Sequence, residues 1–333
     1  MKARCAVPAV LMLVASSMRA QDLQSPKCPG GAPLSSAQVA QDACQQAYDV
    51  YQLVSPQLGL ALTGGNATAG QGGVLGGVGR FSIGLRVNGF SGLLPDVSNS
   101  AFTPRTGGAS PARTLPTTNH LVGLPTADGA VGLFRGFPVS LTNVLGLDAL
   151  LSVSYLPEFS NSSISVSPRQ NWQFGYGARL GLLSESIITP GVSVTWIERD
   201  LPTTDITASV NNTQLQVLGE KVKTNAWRVV ASKNLILFSV AVGGGRDHYD
   251  QSANVSGSIS QGLFTGSATA PGTDQTLDRT NLFADLSYNL PFFKIVAEIG
   301  QASGGTVQTY NSFAGGRADR SQVYGSIGLR LTR

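Results

Sequence analysis

The chain has 333 residues, enough for one large domain or two of ordinary size. Charged residues make up only 13% of it and 40 residues are glycine, a composition that argues against intrinsic disorder, which needs many charges and few apolar side chains. The formal net charge of +4 comes without the basic stripe that nucleic-acid binding requires, so we expect no nucleic-acid partner.

Residues 1–20 have the pattern of a secretory signal peptide. Two basic residues open it, an apolar run extends from residue 6 to residue 15, and small residues follow. We expect cleavage after Ala20, with Ser16 or Ser17 as alternatives. The leader takes three basic residues with it, so the exported chain is nearly neutral. No later window has eighteen consecutive apolar residues, so no transmembrane helix is predicted.

Residues 21–79 do not alternate like a strand. The sequence predicts a short amphipathic helix that begins behind a capping box at Ser35 and Gln38 and ends before Pro56. A glycine-rich run at 61–79 follows, which we interpret either as a compact periplasmic loop or as a plug inside a lumen. The apolar positions with helical spacing are Val39, Ala43, Ala47, Val50 and Val54.

Two cysteines, Cys28 and Cys44, remain after removal of the leader. An oxidising compartment favours a disulfide between them, which would close a loop of about sixteen residues and contribute about 3 kcal/mol. Two free thiols are the alternative.

From residue 80 to the C-terminus, apolar and small or polar residues alternate with period two, about ten residues at a time. In the first such stretch, Phe81, Ile83 and Leu85 oppose Ser82 and Gly84. The predicted strands are residues 81–90, 130–137, 144–157, 171–183, 191–199, 221–232, 235–250, 281–289, 292–303 and 321–332.

The connections between these strands alternate in length. Those at 138–143, 184–190, 233–234 and 290–291 are short, and all others are long. Short turns on one rim and long loops on the other are typical of a transmembrane β-barrel, whereas a soluble β-sandwich has no reason for this rhythm. The sequence therefore predicts an all-β fold: an antiparallel transmembrane barrel of about ten strands, within a range of 10–14, formed by residues 80–333.

The leader, the alternation, the rhythm of connections and the closing strand QVYGSIGLRLTR resemble those of Gram-negative outer-membrane β-barrel proteins. The resemblance implies an outer-membrane location, with the lipid bilayer and the barrel-assembly machinery as partners. The chain departs from the pattern at Leu331-Thr332-Arg333, where such barrels usually end in an aromatic residue. The segment before the first strand is weakly similar to the hatch of the long-chain fatty-acid transporter family, whose barrels have fourteen strands.

A set of charged residues lies on the strand face opposite the apolar one. A charge facing lipid costs a few kcal/mol, so we expect these side chains to face the lumen. They either form a network that fills a narrow bore or line a path for water or a ligand. The lumen-facing candidates are Arg86, Asp148, Arg179, Arg228, Asp285, Lys294, Glu298 and Arg330.

Catalytic and metal-binding signals are weak. The two histidines, His120 and His248, have no metal-ligand spacing, so we expect no metal site and no cofactor and assign no catalytic residue. The sequence favours passive passage or binding of small, including hydrophobic, solutes. One alternative is a structural or surface-recognition barrel with a filled lumen. A second is a loop-borne hydrolase that uses His248.

Overall fold

Ten antiparallel strands close into a ring in the computed structural model, which describes residues 25–160 and 163–333. The predicted signal peptide lies outside the described residues. Each strand pairs with its neighbour in sequence, and the last pairs with the first. A closed ring leaves no strand edge unpaired, as a lipid environment requires. The strands are β1 (Phe81–Pro95), β2 (Thr117–Phe134), β3 (Gly146–Tyr155), β4 (Trp172–Leu183), β5 (Gly191–Asp200), β6 (Thr213–Leu235), β7 (Phe238–Gln261), β8 (Gln275–Asn289), β9 (Lys294–Ala302) and β10 (Gln322–Thr332).

The predicted fold class is confirmed, with tight connections such as 236–237 and 290–293 alternating with long loops. The predicted extent of the second strand, residues 130–137, was wrong, because β2 begins at Thr117. The side of this stretch that faces away from the lumen carries Pro125, Ala127 and Gly129. These residue types have low strand propensity, so the sequence pattern did not indicate a strand there. These residues are nevertheless part of a strand because they pair with β1 along its length from Pro95 to Phe81.

Two of the strands extend far beyond the bilayer. β6 and β7 have 23 and 24 residues, about twice the nine to eleven that a tilted membrane strand needs. The long connections after β5 and β7 form the short strands Thr204–Val210 and Phe264–Thr269, which pair with the distal ends of β6 and β7 rather than entering the ring. The ring among the described residues therefore stays at ten strands. Other short strands are Thr114–Leu115, Phe137–Val139, Thr142–Val144, Phe159–Ser160, Ile164–Pro168 and Ser312–Phe313.

The outer wall is apolar and bordered by aromatic side chains. Ile83, Leu85 and Val87 of β1 are exposed, whereas Arg86 between them is 7% exposed. At the loop end, the Tyr155 and Trp172 rings pack at a tilt with centroids 4.6 Å apart. At the turn end, those of Phe238 and Tyr288 are 5.3 Å apart. These two belts mark the membrane interfaces.

Two helices precede the barrel, α1 (Ser36–Val39) and α2 (Gln41–Thr63). The Ser35 hydroxyl accepts a hydrogen bond from the Gln38 amide, 3.2 Å away, at the start of α1. The predicted end at Pro56 was wrong, because α2 continues through it to Thr63. Proline inside a helix costs about 3 kcal/mol, and here burial of the helix on all sides offsets that cost.

α2 is not an amphipathic surface helix, because all but three of its 23 residues are buried. Polar residues expected at its surface, among them Asp42, Gln45 and Asp49, are 0–1% exposed. No helix within the described ranges combines the length and the apolar character needed to cross a membrane.

An arginine on the outer wall should destabilise the protein in proportion to its depth in the bilayer. Leu85→Arg places a charge among lipid tails and should lower the free energy of unfolding by about 2–4 kcal/mol, whereas Leu121→Arg on the distal part of β2 should cost about 0–1 kcal/mol. Denaturant unfolding in lipid vesicles measures both. Equal losses for the two variants would place the membrane boundary elsewhere.

Candidate functional site: the occupied lumen

Residues 36–79, which we call the plug, run from the loops above the membrane down through the lumen to the turn end. Near the top, the backbone of Cys44 packs so closely on Gly257 that a side chain there would collide with it. Near the bottom, the Val74 side chain packs against Gly181 in the same way. The space left beside Arg86 is about 20 Å³, room for about one water molecule.

The C-terminus of α2 ends among basic side chains of the barrel wall. A helix end leaves carbonyl oxygens without partners and carries partial negative charge, and α2 has no basic residue in its own last turn. Arg86 Nη1 donates to the Gly64 carbonyl at 2.8 Å, and Arg228 Nη2 donates to the Thr63 carbonyl at 3.3 Å.

Two further wall residues bind carbonyls at the C-terminal end of α2. Asn88 Nδ2 donates to the carbonyls of Leu60 and Ala61 at 3.2 and 3.0 Å. Arg199 Nη1 lies 3.4 Å from the Leu62 carbonyl. The barrel wall therefore supplies the donors that the helix lacks.

The glycine-rich part of the plug is bonded to the wall through its backbone amides. Asn66 N donates to Glu298 Oε2 at 2.9 Å, and Gly70 N donates to Asp285 Oδ2 at 2.8 Å. Leu75 N lies 3.2 Å from each oxygen of the Asp148 carboxylate.

Arginines bind the carbonyls of the same segment. Arg330 donates to the carbonyls of Ala67 and Ala69, the first at 2.7 Å, and Arg179 Nη1 lies 3.4 Å from the Gln71 carbonyl. Of the eight lumen candidates, seven thus contact the plug backbone. The eighth, Lys294, is half-buried at the turn end of β9 and makes no hydrogen bond or ion pair within residues 25–160 and 163–333.

The same side chains also pair with one another. Asp128 accepts from Arg86 at 2.6 Å and from Arg199 at 3.3 Å, and Arg179 binds Asp148 at 2.6 Å. Asp128 and Arg199 are not among the lumen residues predicted from the sequence. Arg199 shares parity with Ser193 and Thr195, so alternation could have identified it.

Above the membrane, the loops and the N-terminal segment form a cap around α2. A disulfide joins Cys28 and Cys44, with Cα atoms 5.9 Å apart. Asp49 accepts hydrogen bonds from the amides of Tyr310 and Asn311, each at 3.0 Å. Burial raises the pKa of Asp49 to about 6 despite these hydrogen bonds, which lower it.

A second buried carboxyl group lies in the same cap. Glu220, on the distal part of β6, is 2% exposed and accepts a hydrogen bond from the Ser55 hydroxyl. Burial raises the pKa of Glu220 to about 7, with the Ser55 hydrogen bond acting in the opposite direction. A carboxyl group with this pKa is partly protonated at neutral pH.

The histidines lie apart from the lumen. His248 faces outward on β7, where its ring nitrogens lie 2.9 Å from Asp278 and 3.3 Å from Asp250. His120 is exposed and bonds Thr118. Within the described part of the chain, no group of three or more His, Cys, Asp or Glu residues could hold a metal ion.

No protein-family model matches this chain, and no curated protein does. Among solved structures, the translocator domain of the autotransporter NalP from Neisseria meningitidis is 9% identical, with 76% of this chain and 87% of that one covered, at a TM-score of 0.33. The toluene transporter TbuX from Ralstonia pickettii is 13% identical, with 82% and 92% covered, at a TM-score of 0.25. An anion-selective porin from Comamonas acidovorans is 11% identical, with 76% and 98% covered, at a TM-score of 0.21.

These likenesses carry no argument about function, and the class rests on the molecule itself. A closed ring of ten strands, an apolar outer wall, two aromatic belts and alternating turns and loops define an outer-membrane β-barrel protein. The predicted outer-membrane location is confirmed.

Removal of one buried wall carboxylate should destabilise the protein far more than the same change at the surface. Asp128→Asn leaves Arg86 and Arg199 buried without their counter-ion and should cost about 3–5 kcal/mol. The matched control is Asp278→Asn, because Asp278 pairs with Arg246 in an exposed site, where ion pairs contribute about 0–1 kcal/mol. Similar losses in denaturant unfolding would contradict the assignment of Asp128 as the central counter-ion.

The buried Glu220 should make the stability depend on pH. Its ordinary pKa of 4.5 rises to about 7 on folding, so the folded protein holds more protons in this range and the free energy of unfolding falls as pH rises through it. The slope should reach at most ~1.4 kcal/mol per pH unit. Glu220→Gln should reduce the slope most near pH 7, where Asp49 is already largely ionised; His248, whose pKa the Asp278 carboxylate raises, contributes to the slope that remains. An unchanged slope in that variant would assign the effect to another group.

Proposed function

We propose that the protein is a gated outer-membrane channel for small solutes, closed by its plug and opened when the plug moves. The observation that carries this proposal is the nature of the seal. In the lower lumen the plug meets the wall chiefly through backbone hydrogen bonds to charged side chains, with smaller apolar contacts at Ala67 and Val74. Such bonds to charged groups contribute about 1.5–3 kcal/mol each, but water can hydrate both partners when the plug moves, whereas exposed apolar side chains would gain no replacement partners.

The composition of the plug supports the same conclusion. Residues 64–79 are largely glycine and small residues, so they fill the lumen mostly with backbone. Their withdrawal would leave a bore lined by arginines, carboxylates and small residues. A polar bore of this kind suits passage of a small solute through a ten-stranded barrel.

A reversible tether between the plug and the wall tests this function. A Cβ added at Gly181 would lie 3.3 Å from the Cβ of Val74, close to the separation of a disulfide. The double variant Val74→Cys/Gly181→Cys should form a disulfide that holds the plug in place. We expect solute uptake into liposomes, or current across a planar bilayer, to be abolished when the tether is oxidised and restored when it is reduced.

The single variant Val74→Cys is the control and should behave like wild type in both redox states. Equal conductance with and without the tether would show that the solute does not need plug movement. A second candidate function is a surface-recognition barrel with a permanently filled lumen, which the burial of nearly all of α2 favours. Absence of conductance in the wild-type protein, and in the tether variant both reduced and oxidised, would support that function instead.

A further inference from the structure

Two buried carboxyl groups face each other in the lower lumen. Asp285 of β8 and Glu298 of β9 are directly opposite partners in the antiparallel ladder, and they are 4% and 5% exposed. Side chains in this position have Cβ atoms about 4.5–5.5 Å apart, and like charges there repel. The two carboxyl groups also lie within hydrogen-bonding reach of each other. The sheet therefore holds two acids together in a place that water hardly reaches.

Each of these carboxyl groups has one oxygen bonded to the plug and one oxygen without a partner. Asp285 Oδ2 accepts from the amide of Gly70, and Glu298 Oε2 accepts from the amide of Asn66. Asp285 Oδ1 and Glu298 Oε1 are buried and have no hydrogen-bond partner among the described residues. The plug amides thus occupy one oxygen of each acid, and the remaining two oxygens have only each other.

No cation neutralises this pair in the described part of the chain. Arg330 donates to carbonyls of the plug, and Arg86 is bound to Asp128. Lys294, at the turn end of β9, forms no ion pair, and the Tyr324 hydroxyl donates to an amide oxygen of β8. These are the charged and titratable groups that face the pair from β1, β9 and β10.

The other two elements packed against the pair contribute no titratable group. The partner of Asp285 on β7 is Ala241, and residues 239–245 of that strand contain no acid or base. Residues 64–79 of the plug contain none either. Two buried carboxylates in contact, without a counter-ion, are strongly unfavourable, whereas one proton shared between them removes a charge and supplies the missing donor.

We propose that Asp285 and Glu298 hold a single proton between their two free oxygens, and that this proton secures the lower plug against the wall. With the proton in place, the pair carries one negative charge and accepts the two plug amides. When hydroxide removes the proton, two like charges remain in contact, and the plug must move to let water separate and hydrate them.

This inference rests on the proposed gating and names its trigger. The closed protein holds a proton that two water-exposed carboxyl groups would not hold at neutral pH. Opening therefore releases a proton, and the open state is favoured as the pH rises.

Infrared spectroscopy of the mature protein in lipid vesicles detects the shared proton, because a protonated carboxyl group has a C=O stretching band that an ionised one lacks. Asp285→Asn and Glu298→Gln each place an amide donor where the proton was, so the remaining acid can ionise. At neutral pH each variant should lose the same band, and the double variant should lose no more. Asp278→Asn, an exposed acid paired with Arg246, is the control and should lose none.

Hydrogen exchange at residues 64–79, measured by mass spectrometry and corrected for the intrinsic effect of pH, reports release of the plug. In wild type, protection of this segment should fall above neutral pH by up to about tenfold per pH unit, the limit for release of one proton. Asp285→Asn should keep its protection over the same range.

The proposal is overturned if neither single variant loses the band, if only one of them does, or if protection of residues 64–79 in wild type does not change with pH. It is also overturned if Asp285→Asn retains the pH dependence of wild type. The channel function can fail separately. Protection that falls with pH while no conductance appears at any pH would support the shared proton and contradict the channel, whereas conductance blocked by the oxidised tether, with protection independent of pH, would do the opposite.

Discussion

The structure depends on hydrogen bonds between charged side chains of the barrel wall and the backbone of the plug. Charges in a narrow lumen lose most of their hydration, and they are stable there only with counter-ions and hydrogen-bond partners. The wall supplies some of these through pairs such as Arg86 with Asp128. The plug supplies the rest, and in return the arginines bind carbonyls that the end of α2 would leave unpaired.

These mutual hydrogen bonds between the wall and the plug backbone account for the composition of the plug. At some positions of the lower segment a side chain would collide with the wall. At Gly70, an added Cβ would collide with the Ser287 hydroxyl, and the backbone has a φ of 72°, which favours glycine. Close approach of this kind lets the Gly70 amide reach Asp285. The glycine-rich composition thus follows from the need to present backbone, rather than side chains, to a charged wall.

The two halves of the plug differ in what stabilises them. The lower half is bonded to charged groups, and the upper half is packed in an apolar cap that is closed by a disulfide and by loops bonded to Asp49. Burial in that cap raises the pKa of Glu220 and Asp49 towards neutrality, whereas the lumen charges are compensated by pairs. Movement of the lower half is therefore compatible with a fixed cap.

The sequence by itself determined the barrel, because lipid outside and polar groups inside impose a period of two on every wall strand, and that period is local. The same parity predicts a set of lumen-facing charges, and the Ser35 cap indicates the start of the helices. Only the tertiary structure decided that α2 continues through Pro56, that β2 begins at Thr117, and that Asp128 pairs with Arg86 and Arg199. It also decided that residues 61–79 occupy the lumen rather than a surface loop. Each of these outcomes depends on partners that are distant in the chain, and no local pattern records them.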